Sequence, residues 1–207
     1  MDAQPRVPAV DPARFAEAVR FALAAHGDQR RKGSPVPYVT HPVAVAGILA
    51  QYGYPEPVVL AAVLHDVLED TAVTAPEIEE RFGRRVLDLV EAVTEVKVRD
   101  GRPVPWEERK AEQLQHLRDT GDLEAVGLKA ADVLNNVASI VRDLRVHGPS
   151  TWSRFRRGPA HQLQYYRILS DTVGDRLGSH PLARELQEQV ELLHLEAARA
   201  AGGAAPP

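Results

Sequence analysis

The residues whose types and spacing point most clearly to chemistry lie in the stretch VLHDVLEDT, residues 63–71. It follows an apolar run and places His65, Asp66, Glu69 and Asp70 within six residues. An unpaired carboxylate buried in an apolar environment is very costly, whereas a carboxylate bound to a metal ion is compensated. The stretch therefore predicts a divalent cation at the polar end of a buried helix.

Helical geometry would bring these side chains together. With 3.6 residues per turn, His65 and Asp66 lie about 100° apart around a helix axis and can flank one inward-facing point. Asp66 and Asp70 are four residues apart and would share a face. We therefore predict one helix from Glu56 to Asp70 that carries the cluster at its end.

Two other segments could complete a metal site. His41 precedes a proline at a predicted helix start, where a side chain can point into a cleft. The segment LKAADVLNN places Asp132 and Asn136 four residues apart on one face of a predicted buried helix. Two imidazoles and two carboxylates form a nitrogen and oxygen donor set without sulfur, which suits Mn²⁺, Fe²⁺ or Zn²⁺.

Each of these features has a simpler interpretation when taken alone. A His-Asp dipeptide is usually a surface feature or a local salt bridge. Asp132 and Asn136 could be a buried hydrogen-bonded pair, and His26, at the end of an apolar helix, is expected to be structural. The metal hypothesis depends on the joint arrangement of a His, then His-Asp, then Asp, each on or beside an apolar helix.

Composition excludes several classes of protein. The chain has 207 residues, 44% of them hydrophobic, which is enough for one well-packed domain. The net charge of −4 lacks the basic excess that is typical of proteins that bind nucleic acid. No cysteine is present, so disulfides and thiolate zinc sites are excluded.

Targeting signals and membrane segments are not expected. The start, MDAQPRVPAV, lacks the basic residues and long apolar run of a signal peptide. The longest apolar stretches, VAVAGILA and VVLAAVL, fall far short of the roughly 20 residues that span a bilayer. We therefore expect a cytoplasmic protein with no membrane partner.

Helical periodicity dominates the chain and predicts an all-α fold of about nine or ten helices. We expect one domain over residues 1–200 and a disordered Gly, Ala and Pro tail at 201–207. Two loops are expected, DQRRKGSPVPY and EVKVRDGRPVPW, because both are rich in proline and glycine. The predicted helices run from Asp11-Pro12 to Gly27, Pro42 to Gly53, Glu56 to Asp70, the capping box Thr74–Glu77 to Gly83, Arg85 to Val93, Trp106 to Asp119, Leu123 to Leu144, Thr151 to Val173 with a break or kink at Pro159, and Leu182 to Ala200.

Three separated blocks resemble one family. AHGDQRRKGSPVPYVTHPVAVAGIL, AAVLHDVLEDT and LKAADVLNN carry, in order, the His, His-Asp and Asp signature of HD-domain metal-dependent phosphohydrolases. More narrowly, they are similar to the hydrolase domain of the RelA/SpoT family over about Phe15 to Leu144. The similarity is greatest to its stand-alone small alarmone hydrolases, a group that includes the metazoan SpoT homologues. With 207 residues, we expect no synthetase or regulatory domain.

The resemblance implies a role for each motif residue. The metal, typically Mn²⁺, would be bound by His41, His65, Asp66 and Asp132. The catalytic acids would be Glu69 and Asp70. The substrate would be bound by Arg31, Lys32, Asn136 and Ser139, the last at a position where long family members often carry Thr.

The chain departs from the family pattern at two further positions. The family usually has an aromatic residue or His immediately before the motif asparagine, and this chain has Asn135. Thr94-Glu95 stands where the family usually has Thr-Lys.

The implied reaction is hydrolysis of the 3′-pyrophosphate of guanosine tetra- or pentaphosphate, which releases pyrophosphate and GDP or GTP. One alternative is another HD phosphatase, acting on a nucleoside monophosphate or on the 2′-phosphate of a dinucleotide. The other is a nucleotide sensor without enzymatic activity. Glu69 and Asp70 argue against a sensor, because a binding protein has little need of buried acids beyond the metal ligands.

Two more groups have open roles. Arg154, Arg156 and Arg157 could receive the 5′-phosphates, although such basic runs are more often simply solvated. Tyr165 and Tyr166 could supply a stacking wall, although core packing is the simpler interpretation for at least one.

Overall fold

The computed structural model describes residues 10–202, and the predicted all-α fold is confirmed over that range. The first nine residues, which make up most of MDAQPRVPAV, and residues 203–207 of the predicted tail lie outside the described residues. The described part holds ten α-helices: α1 (Pro12–His26), α2 (Thr40–Gln51), α3 (Glu56–Leu64), α4 (Val67–Asp70), α5 (Ala75–Phe82), α6 (Arg84–Val93), α7 (Trp106–Asp119), α8 (Leu123–His147), α9 (Gly158–Leu177) and α10 (Pro181–Gly202). A short 3-10 helix covers Gly148–Arg154, and β1 (Val98–Arg99) pairs with β2 (Arg102–Pro103).

The chain divides into two compact units, residues 1–129 and 130–207. Helix α8 runs through the division. Among residues 10–202, no helix combines the length and the apolar character that a segment crossing a bilayer needs.

Helix α3 forms the core of the first unit. Every residue from Val58 to Leu64 is buried, because the helix is apolar on all sides and packs against α1, α2 and α6. Its interior position fixes the place of whatever follows its last turn, which is where the candidate cluster begins.

The predicted continuous helix from Glu56 to Asp70 is wrong in one respect. Helix α3 ends at Leu64, His65 and Asp66 form a turn, and α4 follows. The Nδ1 atom of His65 lies 2.7 Å from the carbonyl oxygen of Ala62, an acceptor that the amide of Asp66 would use in a continued helix. A side chain that takes over a backbone acceptor in this way interrupts the helical ladder.

Local capping rules explain several helix ends. The side chain of Asp11 accepts a hydrogen bond from the amide of Ala13 at 2.8 Å, and α1 ends before Gly27, whose φ is 51°. The predicted capping box is present, with Thr74 and Glu77 satisfying each other at the start of α5.

The predicted loop EVKVRDGRPVPW contains a small hairpin. Asp100 and Gly101 link β1 to β2, and both have positive φ, at 51° and 72°. Two consecutive residues with positive φ are what a type I′ hairpin turn requires, and Asp-Gly is a favoured sequence for it. All four strand residues are exposed, so the hairpin lies on the surface.

The start of α8 is fixed by two contacts within the first unit. The carboxylate of Asp122 accepts hydrogen bonds from the amides of Glu124 and Ala125, at 3.1 and 3.3 Å, and pairs with Arg85. The ring of Tyr54 packs directly on Gly127, where an added Cβ would lie 2.2 Å from the phenol oxygen.

In the second unit, the predicted helix from Thr151 to Val173 is wrong at its start. Thr151 lies in the 3-10 helix, and α9 begins at Gly158, so Pro159 opens the helix instead of breaking it. Proline suits the first turn, where its missing N–H has no partner to lose. Helix α10 reaches Gly202, two residues past the predicted end at Ala200. Helices α9 and α10 pack through buried residues that include Leu169, Val173, Leu182, Leu186, Val190 and Leu193.

Candidate metal centre and active site

His41, His65 and Asp66 meet inside the first unit. His41 is the second residue of α2, His65 follows α3, and the packing of these two helices brings the imidazoles to 5.2 Å between ring centroids. The Oδ2 atom of Asp66 lies 3.1 Å from Nε2 of His65 and 3.8 Å from Nε2 of His41. Only 2% of the His41 side chain and 4% of the His65 side chain is exposed.

The donor set fits a divalent cation. A carbonyl oxygen can only accept, so Nδ1 of His65 carries the proton in its contact with Ala62. In the neutral ring, Nε2 of His65 then offers a lone pair toward the Asp66 carboxylate at 3.1 Å. Two facing lone pairs repel each other, and either a bound metal ion or a proton on Nε2 relieves that repulsion. The hydrogen bond from Nδ1 of His65 to the Ala62 carbonyl is of the kind that orients metal-binding histidines. The His/His/Asp cluster could therefore bind a divalent metal ion.

Tyr38 is part of this cluster, although the sequence reasoning missed it. Its phenol donates a 2.7 Å hydrogen bond to Oδ2 of Asp66 and lies 3.4 Å from Oδ2 of Asp70. Its ring lies 4.8 Å from that of His26 and 6.1 Å from that of His41, centroid to centroid. The signal in the sequence was a tyrosine three residues before the candidate ligand His41, at the end of a loop.

His26 agrees with its expected structural role. The residue is buried, and its Nδ1 atom lies 3.0 Å from the side-chain oxygen of Gln29. The amide nitrogen of Gln29 in turn donates to the backbone carbonyl of Asp70 at 2.9 Å. His26 therefore supports the end of α4 through Gln29.

Glu69 and Asp70 are the last two residues of α4, and Lys97 contacts both. The Nζ atom of Lys97 lies 3.1 Å from Oε1 of Glu69 and forms an ion pair with Oδ1 of Asp70. The other oxygen of Glu69, Oε2, accepts from the backbone amide of Glu95 at 3.1 Å. Burial alone would lower the pKa of Lys97, but its contacts with Asp70 and Glu69 raise it.

The pKa values of the neighbouring acids Glu69 and Glu95 are shifted in opposite directions. Burial, followed by the charge of Glu95, raises the pKa of Glu69 against the opposing effect of Lys97. Burial would also raise the pKa of Glu95, but the cations Lys110, Lys129 and Arg109 outweigh it, and the net shift is downward. Of the two carboxyls, Glu69 is therefore the one that holds a proton more readily.

The loop that carries Arg31 and Lys32 folds back to the cluster. Its two sides pair at Arg30 and Pro37, and the amide of Tyr38 donates to the carbonyl of Gln29 at 2.9 Å. The guanidinium carbon of Arg31 lies 5.8 Å from the centroid of the Tyr38 ring. Arg31 is half-buried and Lys32 is exposed.

Asp132, Asn136 and Ser139 lie in the second unit, on successive turns of α8. Asp132 is buried, and one of its oxygens accepts a 2.7 Å hydrogen bond from the side-chain amide of Asn136. Asn136 and Ser139 are half-buried. The hydrogen bond between Asp132 and Asn136 was one of the predicted possibilities.

The arginine run at residues 154–157 and the tyrosine pair at 165–166, whose roles the sequence left open, both include residues with packing contacts. Arg154 pairs with Asp143 and stacks on Phe155, with its guanidinium carbon 5.5 Å from the ring centroid. Arg156 and Arg157 are exposed. Tyr165 and Tyr166 are both buried, with ring centroids 5.4 Å apart, which favours core packing for both tyrosines.

The family follows from a direct comparison. The model of the HD domain family matches residues 18–157, which is more than half of the chain. The chain therefore belongs to the HD domain family, and its His/His/Asp cluster lies within the matched region.

Curated relatives narrow the resemblance. Guanosine-3′,5′-bis(diphosphate) 3′-pyrophosphohydrolase MESH1 of Homo sapiens is 41% identical over 188 residues, which cover 87% of this chain and 93% of that protein. The Mus musculus protein of the same name is 40% identical over 182 residues, 86% of this chain and 93% of that protein. Bifunctional (p)ppGpp synthase/hydrolase SpoT of Escherichia coli K12 is 33% identical over 180 residues, 84% of this chain but 23% of SpoT.

Two solved structures resemble this chain, in agreement with the curated relatives. The structure of a metazoan orthologue of SpoT, described as hydrolysing ppGpp and playing a role in starvation responses, aligns with a TM-score of 0.72 at 32% identity. The alignment covers 88% of this chain and 97% of that one. The protein lmo0812 of Listeria monocytogenes EGD-e aligns with a TM-score of 0.65 at 36% identity over 82% of this chain and 99% of that one. The predicted resemblance to the RelA/SpoT hydrolases is confirmed.

Proposed function

We propose that the chain is a metal-dependent hydrolase that removes the 3′-pyrophosphate of guanosine tetra- or pentaphosphate. The observation that carries this proposal is the cluster of His41, His65 and Asp66, which Tyr38 links to Asp70 at the end of α4. The near full-length identity to the MESH1 hydrolases supports the choice of substrate.

We propose His41, His65, Asp66 and Asp132 as the metal ligands. The first three are supported by their mutual distances. Asp132 is included because it occupies the last position of the family motif and is a buried carboxylate. Mn²⁺ is the favoured ion, since a nitrogen and oxygen donor set without sulfur suits it.

The reaction adds water across the bond between the ribose 3′ oxygen and phosphorus. A bound divalent ion would activate the water and polarise a phosphoryl oxygen. Glu69 would take the proton from the attacking water at its carboxylate, which its raised pKa favours. Asp70, held by Lys97 and Tyr38, would orient the same water. Glu69 would then pass that proton to the 3′ oxygen, which leaves as a hydroxyl as its bond to phosphorus breaks, and pyrophosphate is released.

Arg31 and Lys32 would bind the nucleotide. A planar guanidinium can stack on a base or bind phosphate, and the Arg31 guanidinium already lies over a ring of the cluster. Asn136 and Ser139 would contribute polar contacts from α8, as the family motif implies. The proposed partner is thus a small nucleotide in the cytoplasm, with no requirement for nucleic acid or membrane.

A product assay on a substrate panel tests this function. The purified protein with Mn²⁺ would be offered guanosine 3′,5′-bis(diphosphate), nucleoside 5′-monophosphates and a dinucleotide 2′-phosphate. We expect equal amounts of pyrophosphate and GDP from the first and no reaction with the others. Glu69→Gln and Asp70→Asn should bind metal normally and lose turnover, while Glu91→Gln, on the exposed side of α6, serves as the matched control.

Two results would overturn the proposal. Orthophosphate from monophosphates, with no pyrophosphate from the alarmone, would favour another HD phosphatase. Nucleotide binding without any turnover, at every metal concentration, would favour a sensor.

A further inference from the structure

Lys97 lies outside every motif in the sequence, yet it contacts both proposed catalytic acids. It lies just before β1, in the connection that follows α6, and reaches back 27 residues to Asp70. Its Nζ atom is 3.1 Å from Oε1 of Glu69 and pairs with Oδ1 of Asp70. The side chain is 43% exposed, so the contact is not forced by burial.

The surroundings of the two acids are otherwise rich in negative charge. Asp66 lies one turn earlier, and Glu95 donates its backbone amide to Glu69 while its own carboxylate adds to the local charge. The Glu95 carboxylate forms ion pairs with Arg109 and Lys110, so those two cations are engaged by Glu95. Neighbouring carboxylates repel each other and tend to turn apart or to share a proton.

The oxygens of the two acids are divided among distinct partners. In Glu69, Oε1 faces Lys97 and Oε2 faces the amide of Glu95. In Asp70, Oδ1 faces Lys97 and Oδ2 faces the phenol of Tyr38. Lys97 is therefore a cation that the two carboxylates share.

We propose that Lys97 is a positioning residue for the reaction, which holds Glu69 and Asp70 side by side and aimed at the same point. This inference rests on the proposed function. Loss of the shared cation would let the carboxylates separate, and misplacement of a catalytic group by about 1 Å can cost on the order of 100-fold in rate.

Three variants test this role. Lys97→Met removes the charge and keeps the stem, and Lys97→Arg keeps a cation. Arg99→Met is the matched control, because Arg99 is two residues further on, is 46% exposed, and also pairs with two carboxylates, Glu108 and Glu112, away from the acids of α4. Steady-state kinetics on guanosine 3′,5′-bis(diphosphate), over a range of pH, would be measured for each.

We expect kcat of Lys97→Met to fall about 10- to 100-fold, with KM and metal content unchanged. The acidic limb of its pH–rate profile should move to higher pH, because Glu69 protonates more readily without a neighbouring cation. The groups that face the acids and remain in this variant are Tyr38, Asp66 and Glu95. Lys97→Arg should recover most of kcat, and Arg99→Met should match the wild type.

Several outcomes would overturn the inference. A raised KM with normal kcat would make Lys97 a substrate contact, and an unchanged Lys97→Met would remove any role. If Lys97→Arg is as impaired as Lys97→Met, or if Arg99→Met is equally impaired, then the shared cation is not what matters.

Thermal unfolding separates this inference from the proposed function. Melting temperatures of Lys97→Met, Asp70→Asn and the double variant report their coupling without any substrate. We expect the double variant to be shifted by less than the sum of the single shifts, and simple additivity would contradict the pairing. If the wild type releases no pyrophosphate, the proposed function fails and the catalytic role of Lys97 fails with it, whatever the coupling shows.

Discussion

At the scale of single residues, the cluster depends on partners that approach from distant parts of the chain. His65 and Asp66 are adjacent, so their proximity could be predicted from the sequence. Tyr38 contacts Asp66 across 28 residues, and Lys97 contacts Asp70 across 27. The contact of Lys97 leaves no local pattern, because a contact between distant residues imposes no spacing on the sequence. The signal for Tyr38 is its place three residues before His41, which does not specify its partner. The donor types could thus be predicted, while the residues that hold them could not.

Tyr38 offers a direct test of how the cluster is held. Tyr38→Phe deletes the phenol that donates to Asp66, so the carboxylate loses its orientation while every proposed ligand remains. We expect metal affinity to fall about 10- to 100-fold, the usual cost of losing such a partner. Titration calorimetry with Mn²⁺ measures this, with Tyr52→Phe at the end of α2 as a control. Wild-type affinity in Tyr38→Phe would show that the hydrogen bond does not orient the ligand.

Glu95 gives a prediction about pH. Its pKa is lowered, so its ionised form stabilises the fold above the unfolded pKa of about 4.3, and that stability is lost as the pH falls through the lower folded value. Glu95→Gln should therefore melt below the wild type at pH 7, and the gap should narrow below about pH 4.3.

The control for this prediction is Glu112→Gln. Glu112 forms an exposed pair with Arg99, and exposed pairs contribute little, so its melting temperature should follow the wild type at every pH. A gap for Glu95→Gln that is constant with pH would mean that shape, and not charge, is what Glu95 contributes. The side chain of Glu95 is only 8% exposed, which makes the test sensitive.

At the scale of elements, the sequence predicted most helices because their ends carry strong local signals. Asp11 with Pro12, the Thr74 capping box and the glycines that end α1 and α5 are all found where expected. Two errors share one cause. The break after Leu64 coincides with the contact of the His65 side chain with the Ala62 carbonyl, and the late start of α9 at Gly158 follows turn hydrogen bonds at Phe155 and Gly158. Hydrophobic spacing reports neither kind of hydrogen bond. The dipeptide Asp100-Gly101 is typical of a hairpin turn, but the prolines and glycine of the same segment led to the prediction of a loop.

Gly127 tests how α8 is seated in the first unit. Gly127→Ala would place a methyl group 2.2 Å from the phenol oxygen of Tyr54 and 2.5 Å from a ring carbon, so the ring must move. We expect a loss of about 1–3 kcal/mol in the free energy of unfolding, typical of overpacking. Urea unfolding measures it. Gly121→Ala, with open space around the added Cβ, should change stability by about 0.5 kcal/mol or less, and an equal loss in both variants would contradict the account.

At the scale of the whole molecule, composition and motif order predicted the class and the family. An apolar helix with no polar face, α3, had to lie in the interior, and the polar residues after it had to be compensated there. The division of the chain after residue 129 could not be predicted, because α8 continues through it without a break in pattern. The roles of the site residues remain predictions that the variants above are designed to test.

The most direct test of the central claim measures metal content and pyrophosphate release on the same preparations. His65→Ala and Asp132→Ala each remove one proposed ligand, while His161→Ala, at an exposed histidine of α9, removes an imidazole elsewhere. The account predicts that the first two variants lose bound metal and pyrophosphate release together, and that the third keeps both. Wild-type metal content and wild-type pyrophosphate release in His65→Ala and Asp132→Ala would contradict it.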